Sequence, residues 1–145
     1  MSKLLPFLLI FLLTGCGNSI STEDIQLMNG YWEIEKVVFA DGDDKDFKVN
    51  MTYDYIELKG NTGFRRKGAP RFDGKFEAND VLEEIEITFK DDKVFVNYAT
   101  EFAKWQEELQ EISDEKMVLS NSENKEYHYK RTAPLNFTDD GKKTK

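Results

Sequence analysis

The sequence predicts an all-β protein. Short segments rich in aromatic and β-branched residues are separated by turn signals at nearly regular intervals. Several segments also alternate with period two: in "RFDGKFE" Phe72 and Phe76 share one face, and in "LEEIEITF" Ile85, Ile87 and Phe89 do the same. Antiparallel strands of this kind cover their edges in a sandwich or in a closed barrel, and the alternation alone leaves both open.

The first half of the chain supplies a helical turn and four strands. Ser21 and Asp24 in "STEDIQLMN" have the spacing of a capping box, which predicts one helical turn. The segment "YWEIEKVVFA" is predicted as the first strand and "DGDD" as the turn after it. Further strands follow in "MTYDYIELKG", "TGFRRK" and "RFDGKFEA", separated by Gly60-Asn61 and by 68–70.

The second half continues the pattern with one ambiguous segment. "LEEIEITF" and "KVFVNY" are predicted strands joined by the turn at 91–92. The apolar residues of 101–113, "EFAKWQEELQEIS", are three or four positions apart, a spacing that on its own predicts a helix. "SDEKMVLSN" is predicted as a turn and a strand, "KEYHYKR" as the last strand, and 132–145 as a polar C-terminal tail.

The N-terminal residues have the layout of a secretory signal peptide. Lys3 supplies a positive charge, an apolar run extends from Leu4 to Leu13, and the small residues Thr14 and Gly15 follow. The run is about half of the ~20 residues that a membrane-spanning helix needs. We therefore expect 1–15 to direct export and to be removed.

The end of this segment, Leu13-Thr14-Gly15-Cys16, resembles the lipobox of bacterial lipoproteins. The resemblance implies that Cys16 is lipidated, becomes the first residue of the mature chain, and anchors it in the membrane, with 16–27 as a lipidated tether. Several acyl chains hold a protein in a bilayer where one holds only marginally. Because Gly17 is not the aspartate that retains lipoproteins at the inner membrane, the outer membrane of a bacterial envelope is expected. The alternative is an ordinary signal peptide followed by an unmodified cysteine.

Composition excludes several classes of partner and chemistry. The formal charge is −8, and it becomes −9 once Lys3 is removed, which argues against nucleic acid as a partner. Cys16 is the only cysteine, so no disulfide forms within the chain. The single histidine, His128, is predicted to face solvent, and no nucleophile, base or metal constellation accompanies it. We predict no enzyme activity, no metal and no cofactor.

Two charged segments are candidate binding sites. "DGDDKDFK" departs from a calcium-binding EF-hand loop, since Lys45, Asp46 and Thr52 stand at the fifth, sixth and twelfth positions, so an acidic turn is favoured. A basic patch in "GFRRKGAPR" has four members: Arg65, Arg66, Lys67 and Arg71. Such a patch could bind phosphate or carboxylate on lipid head groups, glycans or an envelope protein. The alternative is a hairpin whose charges are balanced by neighbouring glutamates.

Two further motifs resemble lipocalins. Gly30-Tyr31-Trp32 matches the Gly-x-Trp of their first strand, and "ISDEKMVLSNSENKEYHYKR" is similar to the end of the bacterial lipocalin-like lipoproteins, with its final Tyr-x-(Lys/Arg)-Arg. The resemblance covers about Leu27 to Arg131 and implies one domain, 28–131. That domain would be a single antiparallel up-and-down β-barrel of about eight strands, with 101–113 as a strand. The chain lacks a Thr-Asp-Tyr motif between its later strands.

The resemblance also implies a function and a closed end. A lipocalin-like barrel holds a small apolar or amphipathic ligand at its mouth; the alternative is a filled barrel that works through its outer surface or through the basic patch. In an up-and-down barrel the first and last strands are neighbours, and the resemblance implies that Arg131 covers Trp32 beside Gly30. The interior candidates are mostly bulky: Phe72, Phe76, Ile85, Ile87, Phe89, Tyr98, Tyr127 and Tyr129. Because an eight-stranded barrel is only just wide enough for its own side chains or one small ligand, little room should remain.

Overall fold

The computed structural model describes residues 19–47, 52–70 and 76–133. Within them a 3-10 helix precedes nine strands. The bounds are Asp24–Met28 for the helix, Gly30–Val38 for β1, Asp44–Asp46 for β2, Tyr53–Lys59 for β3, Thr62–Pro70 for β4, Phe76–Lys90 for β5, Lys93–Ala99 for β6, Lys104–Ile112 for β7, Lys116–Ser120 for β8 and Glu126–Arg131 for β9. The described residues do not include Cys16, Arg71 and Phe72.

The strands form one closed antiparallel barrel. Each strand from β3 to β8 pairs with the next, and β1 closes the sheet by pairing with both β3 and β9. The short strand β2 is an extra ninth strand that folds back on the end of β1. The predicted all-β, up-and-down barrel of eight strands with a short N-terminal helical turn is confirmed.

The ambiguous segment 101–113 forms a strand, β7. Trp105 and Leu109 are four positions apart, which suits one face of a strand as well as one face of a helix. The register shifts between Leu109 and Glu111, and Ile112 beyond this bulge packs against the core again. Phe102 lies in the preceding loop. A bulge and a loop residue therefore produced the helix-like spacing.

The 3-10 helix seals one end of the barrel. At its start the Ser21 backbone N–H donates to the Asp24 carboxylate at 2.8 Å and the Asp24 N–H donates to the Ser21 hydroxyl at 3.1 Å, the reciprocal pattern of a capping box. This bonding lowers the pKa of Asp24. Ile25 and Met28 on the helix are fully buried. We call this the closed end; it comprises the helix and the turns after β3, β5 and β7.

Trp32 and Arg131 join the first and last strands of the barrel at the closed end. They are directly paired across β1 and β9, and the guanidinium carbon of Arg131 lies 4.3 Å from the centroid of the Trp32 ring. The indole N–H donates to the Met28 carbonyl at 2.8 Å. Arg131 also donates to the carbonyls of Asn29, at 2.7 Å, and Leu27, at 2.5 Å. One side chain thus holds the last strand, the first strand and the residues before it.

Gly30 makes room for this arginine. Its φ is +124°, a conformation that residues with a Cβ rarely adopt, and a Cβ there would lie 2.5 Å from an Arg131 guanidinium nitrogen. The glycine of the Gly-x-Trp sequence is therefore required by backbone conformation and by the space that Arg131 occupies.

The apolar core fills the barrel above the closed end. It includes inward-facing residues of β1, β3 and β5 to β8: Trp32, Ile56, Leu58, Ile85, Ile87, Val94, Val96, Leu109, Met117 and Leu119. The prediction that Phe89 faces the interior is corrected, because this residue is 41% exposed. It is the penultimate residue of β5, where the strand runs out beside the turn to β6. Val94, its partner across the β5–β6 ladder, is still buried, so Phe89 lies at the margin of the core.

We predict that Trp32 and Arg131 are energetically coupled. Trp32→Ala should cost ~3–5 kcal/mol of unfolding free energy, because a large buried side chain is lost. Arg131→Ala should cost less, with ~0.5–2 kcal/mol from the guanidinium–indole contact. Denaturant unfolding of both single variants and the double variant measures the coupling, and Lys130→Ala, on the outer side of the same strand, is the control partner. Additive effects for Trp32 and Arg131 would contradict the closure described.

Candidate functional site

The end of the barrel opposite the helix is the open end. It comprises the connections from β1 to β3, β4 to β5, β6 to β7 and β8 to β9. No element among the described residues crosses the barrel there as the 3-10 helix does at the closed end. The interior between this mouth and the apolar core contains charged side chains, and they form the candidate site.

Arg65 lies at the centre of these charges. This residue lies in the middle of β4 and is only 5% exposed, although its side chain is charged. The guanidinium stacks on the Tyr98 ring, 4.3 Å from the centroid, and its Nε donates to the Glu83 carboxylate. A second carboxylate oxygen, on Glu107, lies 3.7 Å from a guanidinium nitrogen. Burial disfavours the charged form, but Tyr98, Asp54 and Glu83 outweigh it and raise the pKa of Arg65 well above its usual value.

A second ion pair lies beside the first. Asp54 is 4% exposed and its carboxylate lies 3.1 Å from the Lys67 ammonium, directly across the β3–β4 ladder. We call Asp54, Arg65, Lys67, Glu83 and Glu107 the charged layer. It contains three carboxylates and two cations, so one negative charge is in excess when all five groups are ionised.

Burial disfavours the ionised form of Glu107. It is 8% exposed, and burial raises its pKa, while Arg65 and the Tyr98 hydroxyl act in the opposite direction. Burial likewise raises the pKa of Tyr98 and of Tyr129 well above the usual value of a phenol. Both phenols therefore remain hydroxyl groups at physiological pH and can donate hydrogen bonds inside the barrel.

A pocket opens above the charged layer. Its volume is about 280 Å³. Polar groups in its lining come from Arg65, Lys67 and Glu107 in the strands and from Asn121 at the mouth, and aromatic rings come from Trp105, Tyr127 and Tyr129. The ring of Trp105 stacks on Tyr98 with centroids 5.2 Å apart. Aromatic walls around a few convergent polar groups are the usual composition of a small-molecule site.

The predicted basic patch is corrected by this arrangement. Arg65 is inside the barrel, and Arg65 and Lys67 point towards the interior from the middle of β4, with their charges balanced by acids of neighbouring strands. Arg66 is half-buried, and Arg71 lies outside the described residues. Within the described part of the chain, these residues do not form an exposed cluster of positive charge.

The other sequence candidates occupy different parts of the molecule. Ile85, Ile87 and Tyr98 are buried in the barrel, whereas Tyr127 and Tyr129 line the pocket. Phe72 and the side chain of Phe76 lie outside the described part, as does Cys16. His128 is on the outer face of β9, half-buried, with a ring nitrogen 2.9 Å from the Glu126 carboxylate.

A larger depression, of about 860 Å³, lies over the outer wall of β4 to β7. Two of its polar side chains are bonded to their neighbours: the Asn97 amide donates to the Glu86 carbonyl at 2.9 Å, and the Gln106 amide donates to the Asn97 side-chain oxygen at 2.7 Å. This network stabilises the sheet face. We place the candidate site in the smaller pocket, where buried charges and aromatic rings converge.

The described residues lack two other features, a metal-binding group and a membrane-spanning helix. These residues hold no group of three or more His, Cys, Asp or Glu side chains arranged to bind a metal ion. No helix in the described ranges has the length and hydropathy of a membrane span.

An eight-stranded up-and-down barrel, sealed at one end and with a pocket at the other, defines the class of ligand-binding β-barrels. The family model of the lipocalin-like domain matches residues 28–119, and the chain belongs to this family. The family is typically a binding fold rather than an enzymatic one. No curated protein matches the chain.

Solved structures to which the chain is similar include two from Bacteroides. A lipocalin-like protein from Bacteroides uniformis is 11% identical, with a TM-score of 0.48, over 73% of this chain and 99% of that one. A protein from Bacteroides eggerthii is 14% identical, with a TM-score of 0.48, over 72% of this chain and 99% of that one. Lobster apocrustacyanin A1 is 10% identical, with a TM-score of 0.45, over 82% of this chain and 74% of that one.

We predict that Glu107 makes stability depend on pH. Because its folded-state pKa is raised above the usual 4.5, its contribution to stability is fully present below pH 4.5 and is lost as the pH rises through the folded-state pKa. The unfolding free energy of the wild type, relative to Glu107→Gln, should therefore fall as the pH is raised from below 4.5 towards neutrality. Denaturant unfolding across this range measures it. The control is Glu108→Gln, which removes the next carboxylate along β7; identical pH profiles for the two variants would contradict the prediction.

Proposed function

We propose that this protein is a lipid-anchored, non-enzymatic binding protein of the bacterial cell envelope, in the outer membrane, that holds a small amphipathic molecule at the open end of its barrel. The single observation that carries the binding proposal is the pocket of about 280 Å³ with aromatic sides and a charged base. Cys16 in Leu13-Thr14-Gly15-Cys16 supports the anchor.

The position of the charged layer limits the size of the ligand. A long apolar chain would need the interior down to Trp32, but side chains already fill this volume, and the charged layer separates it from the mouth. Displacing Arg65 would remove the cation that lies beside the Glu83 and Glu107 carboxylates inside the barrel, which is costly. The ligand is therefore short, with a ring or short apolar part between Trp105 and Tyr127 and a polar group towards Lys67 and Glu107.

The exposed rim of the mouth favours a second function, that of an interaction module. Phe102 at the tip of the β6–β7 loop is 87% exposed, and Val81 and Leu82 on β5 are each about 40% exposed. These residues border a depression of about 500 Å³ beside the mouth. Exposed apolar side chains that lie together are a common feature of surfaces that bind proteins.

A pair of probes of different length tests the binding proposal. A bicyclic aromatic carboxylate such as 2-naphthoate should quench the fluorescence of Trp105 in the pocket, and palmitate should not compete, because the layer blocks a long chain. Trp105→Phe should lose the quenching while Trp32→Phe, which leaves Trp105 in place, should retain it. Equal competition by palmitate, or quenching that persists in Trp105→Phe, would contradict the proposed pocket.

The anchor is tested separately. Cells that express the full-length protein are grown with a clickable fatty acid, and label on the protein is compared between the wild type and Cys16→Ala. We expect the label, and fractionation with the outer membrane, in the wild type only. Equal labelling of the two proteins would show that Cys16 is not the acylated residue.

A further inference from the structure

The N-terminal chain enters the barrel at its closed end. Ile20 packs against the core cluster, and Ile25 and Met28 on the 3-10 helix are fully buried. The Gln26 amide donates to the carbonyl of Gly60, in the turn after β3, at 2.9 Å. The first described residues are therefore attached to the closed end and not to the mouth.

The chain between the anchor and this attachment is short. From Cys16 to Ser19 there are three peptide units, which reach roughly 10–11 Å at full extension. The barrel is taller than this, since strands of nine residues such as β1 and β7, tilted as in other barrels, give a height of roughly 20–25 Å. A lipid on Cys16 therefore holds the closed end near the bilayer, while the mouth lies beyond the reach of the tether.

The distribution of charge agrees with this orientation. Among described residues, the open end (39–47, 76–80, 99–104 and 121–126) has nine acidic and three basic residues. The closed end (19–29, 59–62, 90–93, 113–116 and 131–133) has six acidic and five basic residues. Including the sequence of the connections 48–51 and 71–75, the open end still has four more acids than bases, against one at the closed end. An anionic membrane surface repels the more acidic end.

We propose that the closed end is the surface that faces the lipid bilayer and that the mouth of the pocket points away from it. This inference rests on the proposed acylation of Cys16. Its consequence concerns the ligand: because the sealed end lies against the membrane, the pocket exchanges its ligand with the aqueous side or with a partner that approaches from there, and not with the lipids of its own membrane.

Introduced cysteines give a direct test. Because Cys16 is the only cysteine of the chain and is acylated in this account, a new cysteine is the single free thiol. Asn61→Cys, in the exposed turn after β3, reports on the closed end, and Ser122→Cys, in the exposed turn after β8, reports on the open end. Each full-length acylated variant is labelled with a fluorescent maleimide donor and bound to phosphatidylethanolamine–phosphatidylglycerol vesicles that carry an acceptor on a lipid head group.

Energy transfer to the acceptor should be several-fold stronger from position 61 than from position 122. The matched control is Asn61→Cys combined with Cys16→Ala, which should neither float with the vesicles nor transfer energy. Equal transfer from the two positions, or stronger transfer from 122, in protein that floats would overturn the orientation and leave the anchor intact. If the acylation-competent variants do not float, the anchor is wrong and the orientation falls with it.

Discussion

The burial of Arg65 is the constraint on which the interior of this barrel depends. A guanidinium in the middle of a strand, with 5% exposure, requires compensating groups on the neighbouring strands, because an unpaired buried charge destabilises a protein strongly. Glu83, the Tyr98 ring and Glu107 supply that compensation from β5, β6 and β7. These contacts fix the height at which the apolar core stops and the pocket begins, so the shape of the site follows from one ion pair and its surroundings.

The two ends of the barrel have opposite properties as a result. At the closed end Arg131 lies over Trp32 and donates to backbone carbonyls, which joins the first and last strands and completes the apolar core. At the open end the charged layer is accessible from a pocket with aromatic sides. The same asymmetry extends outside the barrel, where the N-terminal chain attaches to the sealed end and the mouth has a larger excess of acidic over basic residues than the sealed end. A binding protein that is held by its base and open to the aqueous side fits both features.

Alternation of apolar and polar residues predicted several of the barrel strands, and the resemblance to lipocalins implied the barrel and the strand at 101–113, but neither predicted the charged layer. Arginine and lysine in "FRRK" suggest a solvent-facing segment, yet Phe64 packs outside on Tyr55, with centroids 6.0 Å apart, while Arg65 faces inward. A signal was present in the partner strands. Asp54 precedes Ile56 and Leu58, Glu83 precedes Ile85 and Ile87, and Glu107 stands between Trp105 and Leu109, each at period two. Acids that continue buried stripes indicate an interior cation, but which cation pairs with them depends on strand register, which short segments do not specify.

The charged layer is tested most directly by removing its central cation with and without its partners. Arg65→Met keeps most of the side-chain volume and should lower the unfolding free energy by about 3–5 kcal/mol, because Glu83 and Glu107 become unpaired inside the barrel. Arg65→Met combined with Glu83→Gln and Glu107→Gln removes these charges as well, and it should recover most of that loss in denaturant unfolding at neutral pH. A single variant as stable as the wild type, or a triple variant no more stable than the single one, would contradict the claim that this ion pair organises the interior of the barrel.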